Sequence, residues 1–141
     1  MSGRYTALMQ DAAGELVFVY GTLRRGGSNA FRMDGADFVS SGKVAGKLYA
    51  ITWYPGLVLQ GEGTVDGDLF RVGRDQLVAL DEFEGISANE IEGAEYRRVK
   101  TEVATADDQV FAAWAYEWIG PVDESKRIIS GDWLQDGRGV E

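Results

Sequence analysis

Two short segments carry residue types that can do chemistry, Tyr20-Gly21-Thr22-Leu23 and Asp81-Glu82-Phe83-Glu84-Gly85. The first begins where an apolar run, LVFVY, stops at a glycine. A buried strand ending there exposes successive backbone N–H groups, a concavity that suits a carboxylate or phosphate. Gly21 allows the backbone to approach a ligand closely, and Arg24 and Arg25 add positive potential. The same residues also describe a strand followed by an ordinary turn. No Gly-Lys-Ser/Thr follows, so the spacing of a nucleotide-binding P-loop is absent. The second segment places three acids within four residues at a helix end. A helix C-terminus is partially negative and disfavours ionised carboxylates, as do neighbouring like charges. A partly buried carboxyl there would have a raised pKa and would shuttle a proton near neutral pH. The commoner use of such a run is a solvated acidic helix end. No acidic spacing matches a calcium loop, and we expect no metal.

Composition narrows the chemistry further. The chain has no Cys and no His. A Cys nucleophile, a Ser-His-Asp triad, a His base and thiolate or His metal sites are all excluded. Proton transfer near neutral pH falls to a carboxyl, a Lys, a Tyr or the N-terminal amine. Six aromatics form a third group: Trp53, Tyr54, Trp114, Tyr116, Trp118 and Trp133. On strands such residues are most often core, but Trp53 and Tyr54, beside Pro55-Gly56, also fit a pocket rim.

The elements that must position these residues follow from patterning. Residues 16–20 read as a strand buried on both faces. A short helix is expected over 28–33 with Ser28 as N-cap. Residues 38–53 are β-prone, broken by Gly42 and Gly46. Tyr54-Pro55-Gly56 reads as a turn with Pro at its second position. Alternation predicts strands over 65–72 and 110–118, and residues 96–105 read as a further strand. Residues 75–84 read as a helix with Asp75 as N-cap and Gly85 just past its end. Leu77, Leu80, Asp81 and Glu84 share one face of it, and Glu82 points away. The tail from Gly131 is polar and its last residues are expected to fray. Five or six strands with one good helix and one short one predict a small α+β domain, its sheet curling toward a barrel.

Whole-chain quantities set the limits. The 141 residues predict one domain, with no disulfide staples needed. A net charge of −9, with Lys and Arg paired only at Arg24-Arg25 and Arg97-Arg98, argues against nucleic acid. No apolar run approaches the length of a membrane span, and residues 1–15 lack a signal-peptide core. A soluble, cytoplasmic protein is the expectation.

The two candidate segments, in this order and about 60 residues apart, resemble the gamma-glutamylcyclotransferase-like family. The matching segments are VFVYGTLRRGGSN, YPGLVL, VDGDLFRV, LDEFEG and EYRRVKTEV, and the closing ISGDW resembles the end of bacterial members. The resemblance runs over roughly residues 16–133. It implies a small mixed β-barrel with flanking helices. It implies an enzyme that cyclises a gamma-glutamyl amine or amino acid to 5-oxoproline and releases the free amine, with no cofactor or metal. Tyr20, Gly21, Thr22 and Leu23 would bind the glutamyl moiety, and Glu84 would be the general acid/base. The physics is consistent with this. The substrate's own amine attacks its γ-carbonyl, so no protein nucleophile is required, and a well-oriented intramolecular attack has a large effective molarity. One carboxyl of raised pKa can both take and return the proton. Two rival readings predict different behaviour: a module that binds a small carboxylate metabolite without turnover, and an acidic adaptor that meets a basic partner.

Overall fold

The computed structural model describes residues 14–137. Seven strands form its sheet: β1 (Glu15–Val19), β2 (Asp37–Ala45), β3 (Lys47–Ala50), β4 (Pro55–Val58), β5 (Thr64–Val72), β6 (Tyr96–Thr105) and β7 (Val110–Trp118). Among the described residues one α-helix, α1 (Arg74–Phe83), links β5 to β6. The order is β1-β5-β2-β6-β7-β4-β3, and β1 also pairs with β7. That last pairing closes β1, β5, β2, β6 and β7 into a five-strand ring. The barrel is mixed: β1 runs antiparallel to β5 through Val17↔Phe70 and parallel to β7 through Val17↔Trp114. The predicted α+β barrel with flanking helical segments is the fold observed.

Closure places the site. One edge of β7 is taken along its length by β6, from Tyr96↔Trp118 to Ala104↔Val110. The opposite edge is shared. β1 lies against Trp114, and β4 lies parallel to it further on, at Leu57↔Glu117. Where β1 leaves this edge and β4 joins it, the sheet splits and a crevice opens.

Alternation along the strands divides the apolar residues into two cores. Phe18, Val65, Leu69, Val103, Ala113, Ala115 and Trp133 fill the barrel. Val17, Val19, Phe70, Val72 and Tyr116 point outward, onto Leu80 and Ile86 of α1 and the segment after it. Each fully buried aliphatic side chain contributes about 1.5–3 kcal/mol, so these contacts fix α1 against the open side of the crevice.

Several expectations are corrected. The predicted helix over 28–33 is a 3-10 turn, Ala30–Met33, capped by Asn29 without a side-chain bond rather than by Ser28. Pro55 and Gly56 lie in β4, and the turn precedes them, closed by the Ile51 N–H donating to the Tyr54 carbonyl at 3.0 Å. Proline is tolerated because it is the strand's first residue. α1 starts after Gly73, with Asp75 inside its first turn. The segment from Gly131 is not wholly polar in its packing, since Trp133 is buried in the barrel. The expected fraying of the last residues and the reading of the N-terminus fall mostly outside the described residues. Among the described residues no helix is long and apolar enough to cross a membrane.

Candidate active site

β1 delivers Tyr20 to the split in the sheet. The Tyr20 hydroxyl donates to the Tyr116 carbonyl at 2.6 Å and accepts from the Leu57 N–H at 3.2 Å. It therefore bridges β7 and β4 where β1 no longer pairs. Its ring, not its hydroxyl, is left to face a ligand. Gly21 follows because nothing larger fits: a Cβ there would lie 2.6 Å from the Pro55 ring. Its small size serves close packing of the loop on β4. Thr22 Oγ1 accepts from Asn29 Nδ2 at 3.1 Å, and the Asn29 N–H donates to the Thr22 carbonyl at 2.8 Å. These bonds hold the loop in a tight curl. The N–H groups of Gly21, Thr22 and Leu23 find no acceptor among the described residues.

The adjacent arginines do not serve this loop. Arg24 is paired with Asp132 at 2.9 Å. Arg25 contacts the buried Asp68 and stacks over Phe38, 3.6 Å from the ring centroid. Neither lines the cavity, so the expected positive potential is spent elsewhere. Arg97 is likewise engaged, with Glu117 at 3.0 Å.

Glu84 arrives from the other side as the C-cap of α1. The Gly85 N–H donates to the Glu82 carbonyl at 3.0 Å and the Ile86 N–H to the Asp81 carbonyl at 2.8 Å. This is the Schellman pattern, and it requires the left-handed backbone that Gly85 supplies at φ 82°. The turn fixes the direction of Glu84, whose carboxyl has no hydrogen-bond or ion-pair partner among the described residues. Burial, then the charges of Asp81 and Glu95, push its pKa up to about 7. Glu82 is exposed, as its position on the helix predicts.

The five residues that the resemblance assigns to the site meet in one cavity of about 250 Å³. Tyr20, Gly21, Thr22 and Leu23 form one wall and Glu84 another. Sequence reasoning missed the tyrosines that complete it. The Tyr96 hydroxyl donates to the Pro55 carbonyl at 2.5 Å, and the Tyr116 hydroxyl to Asp81 Oδ1 at 2.6 Å. Burial holds both phenols far above their usual range, so they remain neutral donors. Burial, then the negative charge of Glu84, does the same to Tyr20. Asp81 is in turn held by Arg98 Nε at 2.9 Å. Glu95 and Trp53 stand at the rim, with the Tyr54 hydroxyl donating to Glu95 at 3.2 Å. Trp53 and Tyr54 thus line the cavity, as their place beside Pro55 predicted. Tyr116 reads from its strand as core and is both core and wall. Tyr96 carries a signal only in hindsight, as the residue after Glu95 at the start of β6.

The sequence and the fold have counterparts in known proteins. The model of the family described as gamma-glutamyl cyclotransferase, AIG2-like, matches residues 17–135. The chain belongs to that family. The gamma-glutamylcyclotransferase family protein YtfP of Escherichia coli strain K12 is 35% identical over 119 residues, covering 84% of this chain and 95% of that protein. Its solution structure superposes with a TM-score of 0.60 over 84% of this chain and 96% of that one, at 34% identity. A crystal structure of an uncharacterized protein from Pyrococcus horikoshii gives a TM-score of 0.66 at 26% identity, covering 86% of this chain and 92% of that one. The fold is shared as well by an AIG2-like protein from mouse, with a TM-score of 0.64 at 24% identity over 78% and 80% of the two chains.

Proposed function

We propose that the protein is a gamma-glutamyl cyclotransferase, converting a gamma-glutamyl amine or amino acid to 5-oxoproline and the free amine, with Glu84 as general acid/base. The observation that carries the reading is the Glu84 carboxyl. It lines a small cavity without a partner among the described residues, at a pKa of about 7, across from a loop of unpaired N–H groups. Family membership supports the reaction class.

The substrate's glutamyl moiety occupies the cavity, with its α-carboxylate on the Gly21, Thr22 and Leu23 N–H groups. About 250 Å³ suits so small a group better than a drug-sized ligand, which fills roughly 300–1,000 Å³. Folded there, the substrate brings its own α-amine against its γ-carbonyl. Glu84 as carboxylate takes a proton from the α-ammonium. The freed nitrogen attacks, a C–N bond forms and a five-membered ring closes. Glu84 as acid returns that proton to the departing nitrogen, the original amide C–N bond breaks, and the second proton of the ring nitrogen passes through the Glu84 carboxylate to the released amine, which leaves as an ammonium ion. Atoms balance without water and without a cofactor. Neighbouring N–H donors stabilise the charge that develops on the carbonyl oxygen. Neutral Tyr96 and Tyr116 add no charge of their own to the negative field of Asp81 and Glu95 around Glu84.

Product identity tests the proposal. Purified protein is incubated with a panel of gamma-glutamyl amines and amino acids, and 5-oxoproline and glutamate are followed by mass spectrometry. Cyclisation yields 5-oxoproline. Free glutamate as the product would mean hydrolysis by attacking water. No product, with conjugates still protecting the protein against heat, would mean a module that binds without turnover.

A further inference from the structure

We propose that the amine released by this protein carries a second, positively charged amino group, as in a mono-γ-glutamylated diamine. Glu95, with the Trp53 and Tyr54 rings, selects that arm. The inference rests on the cyclotransferase reading of the cavity and narrows its substrate.

The cavity wall holds two carboxyl groups, Glu84 and Glu95, and no lysine or arginine. The two arginines that follow Glu95 on β6 are turned to other acids, Arg97 to Glu117 and Arg98 to Asp81. Glu95 is exposed at the rim and has no ion-pair partner among the described residues. Its oxygens are steadied by the Tyr54 hydroxyl at 3.2 and 3.3 Å. Beside it Trp53 is 63% exposed, a large aromatic surface kept in water at a cavity mouth. Tyr54 holds it edge-on, with ring centroids 5.0 Å apart. A fixed carboxylate next to an open indole face is a composition that attracts an ammonium group, through charge and through the ring quadrupole.

The other arms fit less well. A carboxylate-bearing arm meets repulsion from Glu95. A neutral alkyl arm covers Trp53 and leaves Glu95 unused. The division of labour is also consistent: Glu84 exchanges a proton during turnover, whereas Glu95, exposed at the rim, serves only to attract. The chain's net charge of −9 further favours encounter with a cation.

Three conjugates of similar length test this: γ-glutamyl-diaminobutane, γ-glutamyl-pentylamine and γ-glutamyl-aminobutyrate. The ratio of kcat/KM values is taken within each variant, so that shared effects cancel. The parent is expected to favour the cationic over the neutral arm by roughly tenfold, and the anionic arm least. Glu95→Gln is expected to bring the cationic-to-neutral ratio close to one, Trp53→Ala to lower it, and high salt to shrink it in the parent. A ratio unchanged in Glu95→Gln, with all three conjugates losing equally, would place Glu95 on the glutamyl ammonium and overturn the proposal. If no conjugate yields 5-oxoproline, the cyclotransferase reading fails, and calorimetry decides the arm. Tighter binding of the diaminobutane conjugate, lost in Glu95→Gln, sustains selection of a cation; equal binding of all three overturns it.

Discussion

In the proposed reaction Glu84 is the residue on which the chemistry turns, and its environment makes quantitative demands. With burial and the charges of Asp81 and Glu95 holding its pKa at about 7, kcat/KM should fall on the acid side through about pH 7, not near the ordinary carboxylate value of 4.5. A rate flat down to about pH 5 would contradict this. The same shift acts on stability. The unfolded chain ionises Glu84 near 4.5, but the folded protein holds its proton up to about 7. Stability from this group is therefore full below the lower value and is lost as pH rises through the upper one. Glu84→Gln removes the cost, so it should stabilise the protein by roughly 2 kcal/mol at about pH 8 and change little near pH 4, as read by urea unfolding. The position of Glu84 was legible, because Leu77, Leu80 and Asp81 define the face it shares. Its isolation was not, because the residues around it come from β4, β6 and β7 and the loop after β1. Tyr96 and Tyr116 illustrate the difficulty: on an alternating strand, an aromatic that packs and one that walls a cavity have the same spacing.

At the scale of elements, the seam between β1 and β4 decides where the cavity lies. Tyr20 supplies through its hydroxyl the bond that a continuous ladder would have made between Tyr116 and Leu57. Tyr20→Phe leaves the buried Leu57 N–H without an acceptor and should cost about 1–3 kcal/mol in urea unfolding, with the denaturant slope unchanged. Gly21→Ala drives a methyl into Pro55. Overpacking of that kind costs typically 1–3 kcal/mol and should also raise KM, since it moves the loop proposed to hold the glutamyl group. Strands β1, β5, β6 and β7 were legible because their side chains alternate or run wholly apolar. The Tyr54-Pro55-Gly56 turn was misread because a Pro-Gly pair obeys the same local preferences at a turn and at the first residue of a strand. Only the pairing with Tyr49 and Ala50 separates the two cases.

The whole molecule depends on closing a five-strand ring, and the chain's last described turn helps to fill it. Trp133 is 3% exposed and packs among the barrel residues. Trp133→Ala should lower the melting temperature by roughly 10 °C, as large aromatic truncations cost about 3–5 kcal/mol. A change of less than a few degrees would mean that the barrel closes without it. Patterning could not assign Trp133 to the core, because one aromatic in a polar segment has no period. The barrel itself was legible in outline from short, glycine-punctuated strands, but its parallel β1–β7 contact joins residues 97 positions apart, from Val17 to Trp114. In the proposed function this barrel presents Glu84 to a substrate that cyclises on itself. The most direct measurement compares 5-oxoproline release by the parent and by Glu84→Gln on the same gamma-glutamyl amine, with binding to each followed by calorimetry. Glu84→Gln is expected to lower turnover roughly 100- to 10,000-fold with affinity largely kept. Full turnover by Glu84→Gln would contradict it.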